Sequence, residues 1–426
     1  MDRNEKNNSC NAFIVTRLGQ LRNVHALIEQ ESLEHNVLVI MYVKHDTALF
    51  SNLKAAYREE MFDDVLYLEL PNSPLRLTKK RSEAIYAGME DILKTVHDEY
   101  SAKELYLCNI DNYYVYLERI IADHGYSMAI NLFEEGLTTY KITSGESLQK
   151  KEDPPNKNDI KKAWNDCKKA LKKFILNAAV LLLHCAGFLV RKPLVTCARN
   201  LWSRLTVDKR RRYGIIRDFN KAYVCFPEMV NGTDALHFAS VEKLNFKFNR
   251  VEDEDLKTAA AGYSTLFVNQ KYINYESHFR ILFQIFDEMG IDKVLIKLHP
   301  KEKEDQVAER ICKMQTEYTD IDVKILSSTG SIPVEDIIYS LGIQRVIGLT
   351  SSALIYLQSG LDAVEVISIA ERYRTLGAGD DLVASRELIL FDDEYRFFKR
   401  FENITQFVPD SDRESEKDGK NPGDAP

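Results

Sequence analysis

The strongest constraint on the fold is an alternation of short apolar runs with amphipathic stretches. In the first 140 residues, five apolar runs of strand length are separated by segments with helical periodicity. Strands joined by helices pair in parallel with right-handed crossovers, so this alternation predicts a doubly wound parallel sheet. The predicted strands are 12–16, 37–42, 65–68, 104–108 and 128–132, and the predicted helices are about 20–32, 47–59, 79–98 and 112–124.

The same alternation returns in the last third of the chain and predicts a second doubly wound domain. Ligands of such sheets bind outside the carboxyl ends of the strands, so a cleft between the two domains is the expected site. The predicted strands are 265–268, 293–298, 323–326, 344–347 and 363–367, and the predicted helices are about 275–289, 302–316, 333–340 and 352–359.

The domain organisation follows from the length and from breaks in this rhythm. A chain of 426 residues suits two domains of roughly 150–200 residues. We therefore predict two Rossmann-like α/β domains, separated by a basic and apolar helical insert and followed by a helix and a polar tail. The predicted boundaries are 1–150 and 261–390 for the two domains, 151–260 for the linker and insert, 391–408 for a closing helix, and 409–426 for a disordered tail.

The cysteine pattern indicates a reducing compartment. The seven cysteines are scattered and include no CxxC pair, which speaks against a disulfide framework and against a structural zinc site. The opening residues MDRNEKNNS contain no apolar stretch, so no secretory signal is expected. We expect a protein on the cytosolic side of the membrane.

A basic island at 160–212 stands out in an otherwise acidic chain. It holds 14 Lys and Arg against two Asp, although the whole chain carries a net charge of −8. Such an island predicts an anionic partner, either nucleic acid or a membrane surface. No aromatic ladder or nucleic-acid motif accompanies the charges, so nucleic acid is not expected.

Within the island, residues 174–190 run for 17 positions without a charge. This is short of the ~20 residues that a membrane span needs. An interfacial anchor on an anionic leaflet is the preferred interpretation. A helical hairpin buried in the core and a true membrane span remain as alternatives.

Three short polar segments follow predicted strands, where a cleft would lie. Glu134-Glu135-Gly136 offers two carboxylates, one of which can serve as a general base, beside a glycine that lets a substrate approach the backbone. His299-Pro300 presents an imidazole able to contact a phosphate or protonate a leaving group. Taken singly, the first is also compatible with an ordinary acidic turn and the second with a surface or capping histidine.

The third segment, Thr350-Ser351-Ser352, opens a predicted helix and can form a phosphate-binding nest. Ordinary N-capping is the alternative. Glu335, at the start of another helix, can accept hydrogen bonds from both hydroxyls of a ribose, or is simply an acidic residue in the first helical turn. Together these segments predict a nucleotide-sugar site, with no dinucleotide, Walker or metal motif competing. We expect no metal and no cofactor.

The same segments carry a resemblance to a known family. The chain resembles the bacterial polysialyltransferases, which are relatives of the lipooligosaccharide sialyltransferases and are described by acidic-acidic-Gly, His-Pro and Ser/Thr motifs in that order. The resemblance covers about 11–375, and the insert at 160–212 does not match the family pattern. The matching segments are 17–21 (RLGQL), 134–140 (EEGLTTY), 298–300 (LHP) and 350–352 (TSS).

This resemblance implies a GT-B fold and transfer of sialic acid from CMP-sialic acid, with inversion and without a metal. It makes Glu134 the general base and His299 the group that assists departure of CMP. The remaining implied substrate contacts are Gly19, Gln20, Glu135, Gly136, Pro300, Glu335, Thr350, Ser351 and Ser352.

The expected function is therefore a polysialyltransferase that extends a capsular polysaccharide on a sialylated glycan or glycolipid acceptor. A monosialyltransferase, or a transferase of a related acid sugar, is the alternative from the same chemistry. A non-catalytic, membrane-bound glycan-assembly protein is the alternative from another class. We expect the protein on the inner face of the plasma membrane, with capsule assembly proteins as further partners.

Overall fold

The computed structural model describes residues 10–43, 47–70, 79–110, 113–143, 218–230, 236–270, 275–299, 302–327, 332–378 and 391–409, the last without 392, 393 and 402. The chain divides into two compact units, Met1–Leu244 and Asn245–Pro426. The predictions for the insert at 160–212, for Pro300 and for the tail beyond residue 409 lie outside the described residues.

Unit 1 contains a seven-stranded parallel sheet. Its strands are β1 (Cys10–Val15), β2 (Asn36–Val43), β3 (Asp64–Leu70), β4 (Ala102–Leu107), β5 (Ala129–Phe133), β6 (Asp218–Val224) and β7 (His237–Lys243). Its helices are α1 (Leu18–Glu31), α2 (Thr47–Ala56), α3 (Lys79–Asp98), α4 (Val115–His124) and α5 (Leu137–Thr143), with 3-10 turns at Glu59–Met61 and Pro227–Met229. The strand order is β3-β2-β1-β4-β5-β6-β7, so the order reverses between β1 and β4.

Unit 2 contains a six-stranded parallel sheet of the same topology. Its strands are β8 (Thr265–Val268), β9 (Lys293–Lys297), β10 (Asp322–Ile325), β11 (Arg345–Gly348), β12 (Glu365–Ser368) and β13 (Thr405–Gln406). Its helices are α6 (Glu254–Ala260), α7 (Tyr275–Glu288), α8 (Glu304–Gln315), α9 (Val334–Leu341), α10 (Ser352–Gly360) and α11 (Ala370–Ala378). The order β10-β9-β8-β11-β12-β13 reverses between β8 and β11.

Apolar residues on both faces of the central strands explain these sheets. Every residue of β1 is buried, as a parallel strand covered by helices on both sides requires. In unit 2, α7 places Phe279, Phe283 and Phe286 at helical spacing on the core side, and all three are fully buried. The two doubly wound parallel sheets predicted from the sequence are confirmed.

The boundaries of the two units differ from the predicted ones. The first sheet continues past residue 150 with β6 and β7, and unit 2 begins at Asn245. The strand β6 follows a long interruption and mixes exposed with buried residues, and β7 contains only exposed and partly buried residues. Both strands therefore escape a search for continuous apolar runs. In the predicted closing helix, residues 391 and 394–398 are helical, and the chain then forms β13.

Across the ranges that the structure describes, no helix is both long enough and apolar enough to cross a membrane.

Candidate functional site

The two carboxylates that follow β5 have different environments. Glu134 has 0% exposure. Its Oε2 accepts hydrogen bonds from the Tyr140 hydroxyl at 2.6 Å and from the Cys225 backbone N–H at 2.5 Å. Burial, with the nearby charge of Glu134, raises the pKa of both the Tyr140 hydroxyl and the Cys225 thiol. Glu134 therefore joins the end of β5 to the end of β6 inside unit 1.

Glu135 lies where the parallel strands end at their carboxyl termini, and its side chain is 10% exposed. Its Oε1 accepts from Gln20 Nε2 at 2.9 Å, and its Oε2 accepts from Asn109 Nδ2 at 2.7 Å. The largely exposed Arg17 guanidinium lies 3.9 Å from Oε1. These partners follow β1 and β4, the two strands between which the order reverses, and this is where doubly wound sheets bind ligands.

The residues around Glu135 hold its loop in one conformation. The Thr139 hydroxyl accepts from the Glu135 N–H at 2.8 Å, and Gly136 has a φ of 121°, which favours glycine. Gln20 is buried, and its Oε1 accepts from the N–H groups of Thr16 and Arg17 at 2.6 and 3.1 Å. Gln20 thus orients Glu135 while its own side chain is held by the turn after β1.

Open space surrounds Gly19. Apart from its two chain neighbours and the backbone of its own helix, a Cβ atom at this position would meet nothing within 4 Å. Packing inside unit 1 therefore does not explain the glycine, and the backbone of the first turn of α1 can be approached closely.

In unit 2, His299 follows β9 in a turn that Glu302 closes. The His299 N–H donates to Glu302 Oε2 at 2.7 Å, and the Glu302 N–H donates to the His299 carbonyl at 2.9 Å. Asn269 Nδ2 donates to both Glu302 oxygens, at 2.9 and 3.0 Å. Pro300 is not among the described residues.

The Thr350-Ser351-Ser352 segment follows β11 and begins α10. Thr350 is buried, and its N–H donates to Gln270 Oε1 at 3.0 Å. Ser351 is the N-cap residue, and its hydroxyl accepts from the Ala353 N–H at 3.3 Å. Ser352 begins the helix and is partly exposed. The segment thus serves as a helix cap and also presents the positive end of a nine-residue helix dipole.

Glu335, on α9, is buried and interacts electrostatically with Lys297, the last residue of β9. Burial lowers the pKa of Lys297 to about 8, while the Glu335 charge acts in the opposite direction. The sequence analysis does not single out Lys297. Its place two positions before His299, on the same side of an extended chain, is the signal that could have found it.

Asn109, Asn269 and Gln270 are further residues that the sequence analysis does not identify. A single amide after an apolar run resembles any loop residue, so the sequence carries no signal for them. Among the residues with described positions, no group of three His, Cys, Asp or Glu side chains could hold a metal ion. Independence from metals stays a prediction.

Comparison with known proteins supplies the family. The family model described as Alpha-2,8-polysialyltransferase (POLYST) matches residues 11–369. No curated protein matches the chain.

Two solved structures are among those to which the chain is similar. Medicago truncatula UGT71G1 complexed with UDP-glucose has a TM-score of 0.49 and 10% identity, over 93% of each chain. The GT-B domain of a sialyltransferase from Photobacterium damselae has a TM-score of 0.41 and 12% identity, over 94% of this chain and 100% of that chain.

The family model covers most of the chain, including the strand-end segments described above, and it confirms the resemblance found in the sequence. A sugar-nucleotide donor and a glycan acceptor are the substrates that such a family implies. The chain belongs to the alpha-2,8-polysialyltransferase family and is a glycosyltransferase of the sialyltransferase class.

Proposed function

We propose that the protein transfers sialic acid from CMP-sialic acid to the end of a sialylated glycan, with inversion and without a metal, and that it extends a capsular polysaccharide. The family match supports the class of reaction. The proposed mechanism rests on the position of Glu135. Its carboxylate lies at the switch point of the sheet, where Gln20 after β1 and Asn109 after β4 donate hydrogen bonds to it.

Glu135, rather than Glu134, is the general base in this proposal. A base must come within hydrogen-bond reach of the acceptor hydroxyl, and Glu134 has no exposed surface. The Glu134 carboxylate already accepts from Tyr140 and Cys225. The family resemblance assigns this role to Glu134, and the sequence alone does not reveal which of the two adjacent carboxylates turns inward.

The reaction requires one proton transfer and one displacement. The acceptor hydroxyl gives its proton to Glu135 as its oxygen forms a bond to the anomeric carbon of sialic acid. The bond from that carbon to the phosphate oxygen of CMP breaks from the opposite face, and CMP departs with the electron pair. Hydrogen bonds from Gln20 and Asn109 fix the carboxylate in one orientation, and such orientation accelerates reactions.

Unit 2 would bind the donor. His299 assists the departure of CMP, and the first turn of α10, at Ser351 and Ser352, offers donors for the CMP phosphate. Lys297 adds a buried cation on the same strand end. Glu335 is less suited to bind a ribose than the sequence indicates, because its carboxylate is buried beside Lys297.

The basic island at 160–212 is proposed to hold the protein on an anionic membrane surface. Its 14 Lys and Arg would attract acidic lipids, and the uncharged stretch 174–190 would insert between them. A lipid-linked acceptor confined to the membrane gives a capsule polymerase a reason to be there, on the inner face of the plasma membrane and near capsule assembly proteins.

Product sizing tests the proposal. The purified protein is incubated with CMP-sialic acid and a fluorescent trimer of α-2,8-linked sialic acid, with and without a chelator, and the products are separated by length. A ladder of longer products in both conditions is expected. Addition of a single residue would identify a monosialyltransferase. Absence of CMP release would refute the use of this donor.

A further inference from the structure

Two adjacent amide residues, Asn269 and Gln270, follow β8 at the switch point of the unit 2 sheet. β8 pairs with β9 on one side and with β11 on the other. The turn that contains His299 follows β9, and the turn that contains Thr350 follows β11. Asn269 and Gln270 therefore lie between the two turns that carry the family motifs.

Asn269 connects to the first of these turns. Its N–H donates to the Lys297 carbonyl at 3.0 Å, and its Nδ2 donates to both oxygens of Glu302. Glu302 in turn accepts from the His299 N–H at 2.7 Å. The backbone conformation of His299 thus depends on a carboxylate whose orientation Asn269 sets.

A buried histidine fixes the orientation of Asn269. His278 Nε2 lies 2.8 Å from Asn269 Oδ1, and His278 Nδ1 lies 3.0 Å from the Tyr373 hydroxyl. Asn269 uses its Nδ2 on a carboxylate, which only accepts hydrogen bonds, so its Oδ1 must face His278. His278 Nε2 therefore carries the hydrogen, and Nδ1 accepts from Tyr373.

Gln270 connects to the second turn. Its Oε1 accepts from the Thr350 N–H at 3.0 Å, and its Nε2 donates to the Thr350 hydroxyl at 3.3 Å. Thr350 immediately precedes Ser351, the N-cap residue of α10. Gln270 therefore fixes the residue that leads into the helix N-terminus.

We infer that Asn269 and Gln270 are positioning residues that set the His299 turn and the Thr350 turn independently. The inference rests on the proposed function, in which His299 assists departure of CMP and the first turn of α10 binds its phosphate. Displacing His299 then slows turnover, and displacing the α10 turn weakens donor binding.

Reversal of one hydrogen bond tests whether Asn269 positions the His299 turn. Glu302→Gln sets two NH₂ groups against each other, and Asn269→Asp sets two carboxylates against each other. The double variant restores one donor facing one acceptor, with His278 still donating to residue 269. Each single variant should lower kcat by on the order of 10-fold or more at an unchanged donor KM, and the double variant should recover most of it. Failure of the double variant to recover kcat overturns the positioning role of Asn269.

Gln270→Ala tests whether Gln270 positions the Thr350 turn. Gln284→Ala, which removes an exposed hydrogen bond on α7, is the matched control. Gln270→Ala should raise the donor KM on the order of 10-fold with kcat nearly kept, and the control should leave both unchanged. An unchanged donor KM overturns the role of Gln270.

Hydrogen exchange gives a readout that does not need activity. Glu302→Gln should speed amide exchange in the peptide that contains His299, and Gln270→Ala should do so in the peptide that contains Thr350. If the wild-type protein transfers no sialic acid, the proposed function fails, and exchange alone decides the positioning roles. Unchanged exchange in both peptides overturns them.

Discussion

Tyr140 donates its hydroxyl hydrogen to Glu134 Oε2 at 2.6 Å and accepts a hydrogen bond from the Phe226 N–H at 3.0 Å. One hydroxyl thereby joins α5, the end of β5 and the segment that follows β6. In the sequence, β6 follows the insert at 160–212, whereas β5 precedes it. This contact therefore helps hold together two parts of the seven-stranded sheet that are far apart in the chain.

Removal of this hydroxyl should destabilise unit 1. Tyr140→Phe removes the hydroxyl acceptor of the partly buried Phe226 N–H and removes one donor from the fully buried Glu134 carboxylate. We expect the free energy of unfolding to fall by about 1–3 kcal/mol, measured by urea denaturation. Tyr86→Phe, which removes an exposed hydroxyl bonded to Asp123, is the control and should change it by about 0.5 kcal/mol or less. Equal effects of both variants would contradict the structural role of Tyr140.

Substitution of Glu134 and of Glu135 should affect turnover differently. Glu135→Gln should lower turnover by roughly 100- to 10,000-fold while donor affinity is kept, because a base acts on the acceptor. Glu134→Gln should mainly lower stability, with turnover of the folded protein much closer to wild type. Single-turnover transfer measured with saturating donor distinguishes the two. A larger kinetic loss in Glu134→Gln would return the role of base to Glu134.

The sequence predicts strands well where both faces of the strand are buried, and poorly where one face is exposed. Strands such as β1 are apolar on both faces and show as continuous runs, whereas β6 and β7 carry exposed residues and follow a long interruption. The motifs predict which strand ends matter. They cannot predict which of Glu134 and Glu135 turns inward, because that depends on Cys225, 91 residues away in the chain.

The amides at the two switch points show a further limit. Gln20 after β1 and Asn269 after β8 each orient a carboxylate that belongs to another strand end, Glu135 and Glu302 respectively. Only the parallel pairing of neighbouring strands brings these groups together. The sequence places them 115 and 33 residues apart, where no local pattern connects them.

Acid should destabilise unit 2 through His278. Burial lowers the pKa of His278 to about 3, below its value of 6.5 in the unfolded chain. The unfolded state therefore binds more protons below pH 6.5, and stability present above that pH is lost as the pH falls toward 3. From pH 7 to pH 5 the loss should be about 2 kcal/mol, measured by urea denaturation. His278→Gln should remove this dependence, and an unchanged pH profile in that variant would contradict it.

Alkaline pH should weaken donor binding through Lys297. Its pKa of about 8, lowered by burial, means that the amine loses its charge as the pH rises through this value. If Lys297 attracts the donor phosphate, the dissociation constant for CMP should rise between pH 7 and pH 9.5. Lys297→Arg keeps its charge over this range and should flatten the profile, measured by calorimetry. A wild-type constant that does not change with pH would exclude Lys297 from phosphate binding.

The basic island should bind acidic membranes through its paired lysines. Each Lys near an anionic surface contributes about 1 kcal/mol, screened by salt. Replacement of Lys168, Lys169, Lys172 and Lys173 by Gln should weaken binding to vesicles with anionic lipid on the order of 1,000-fold at low salt, while activity on a soluble acceptor is kept. The control replaces the exposed Lys293, Lys303, Lys313 and Lys324 of unit 2 by Gln, which changes the net charge equally outside the island. Loss of binding in the first variant alone, with residual binding of the wild type at high salt from residues 174–190, supports an interfacial anchor. Equal binding by both variants refutes electrostatic anchoring and favours a buried hairpin, whereas resistance to alkaline carbonate would indicate a true span.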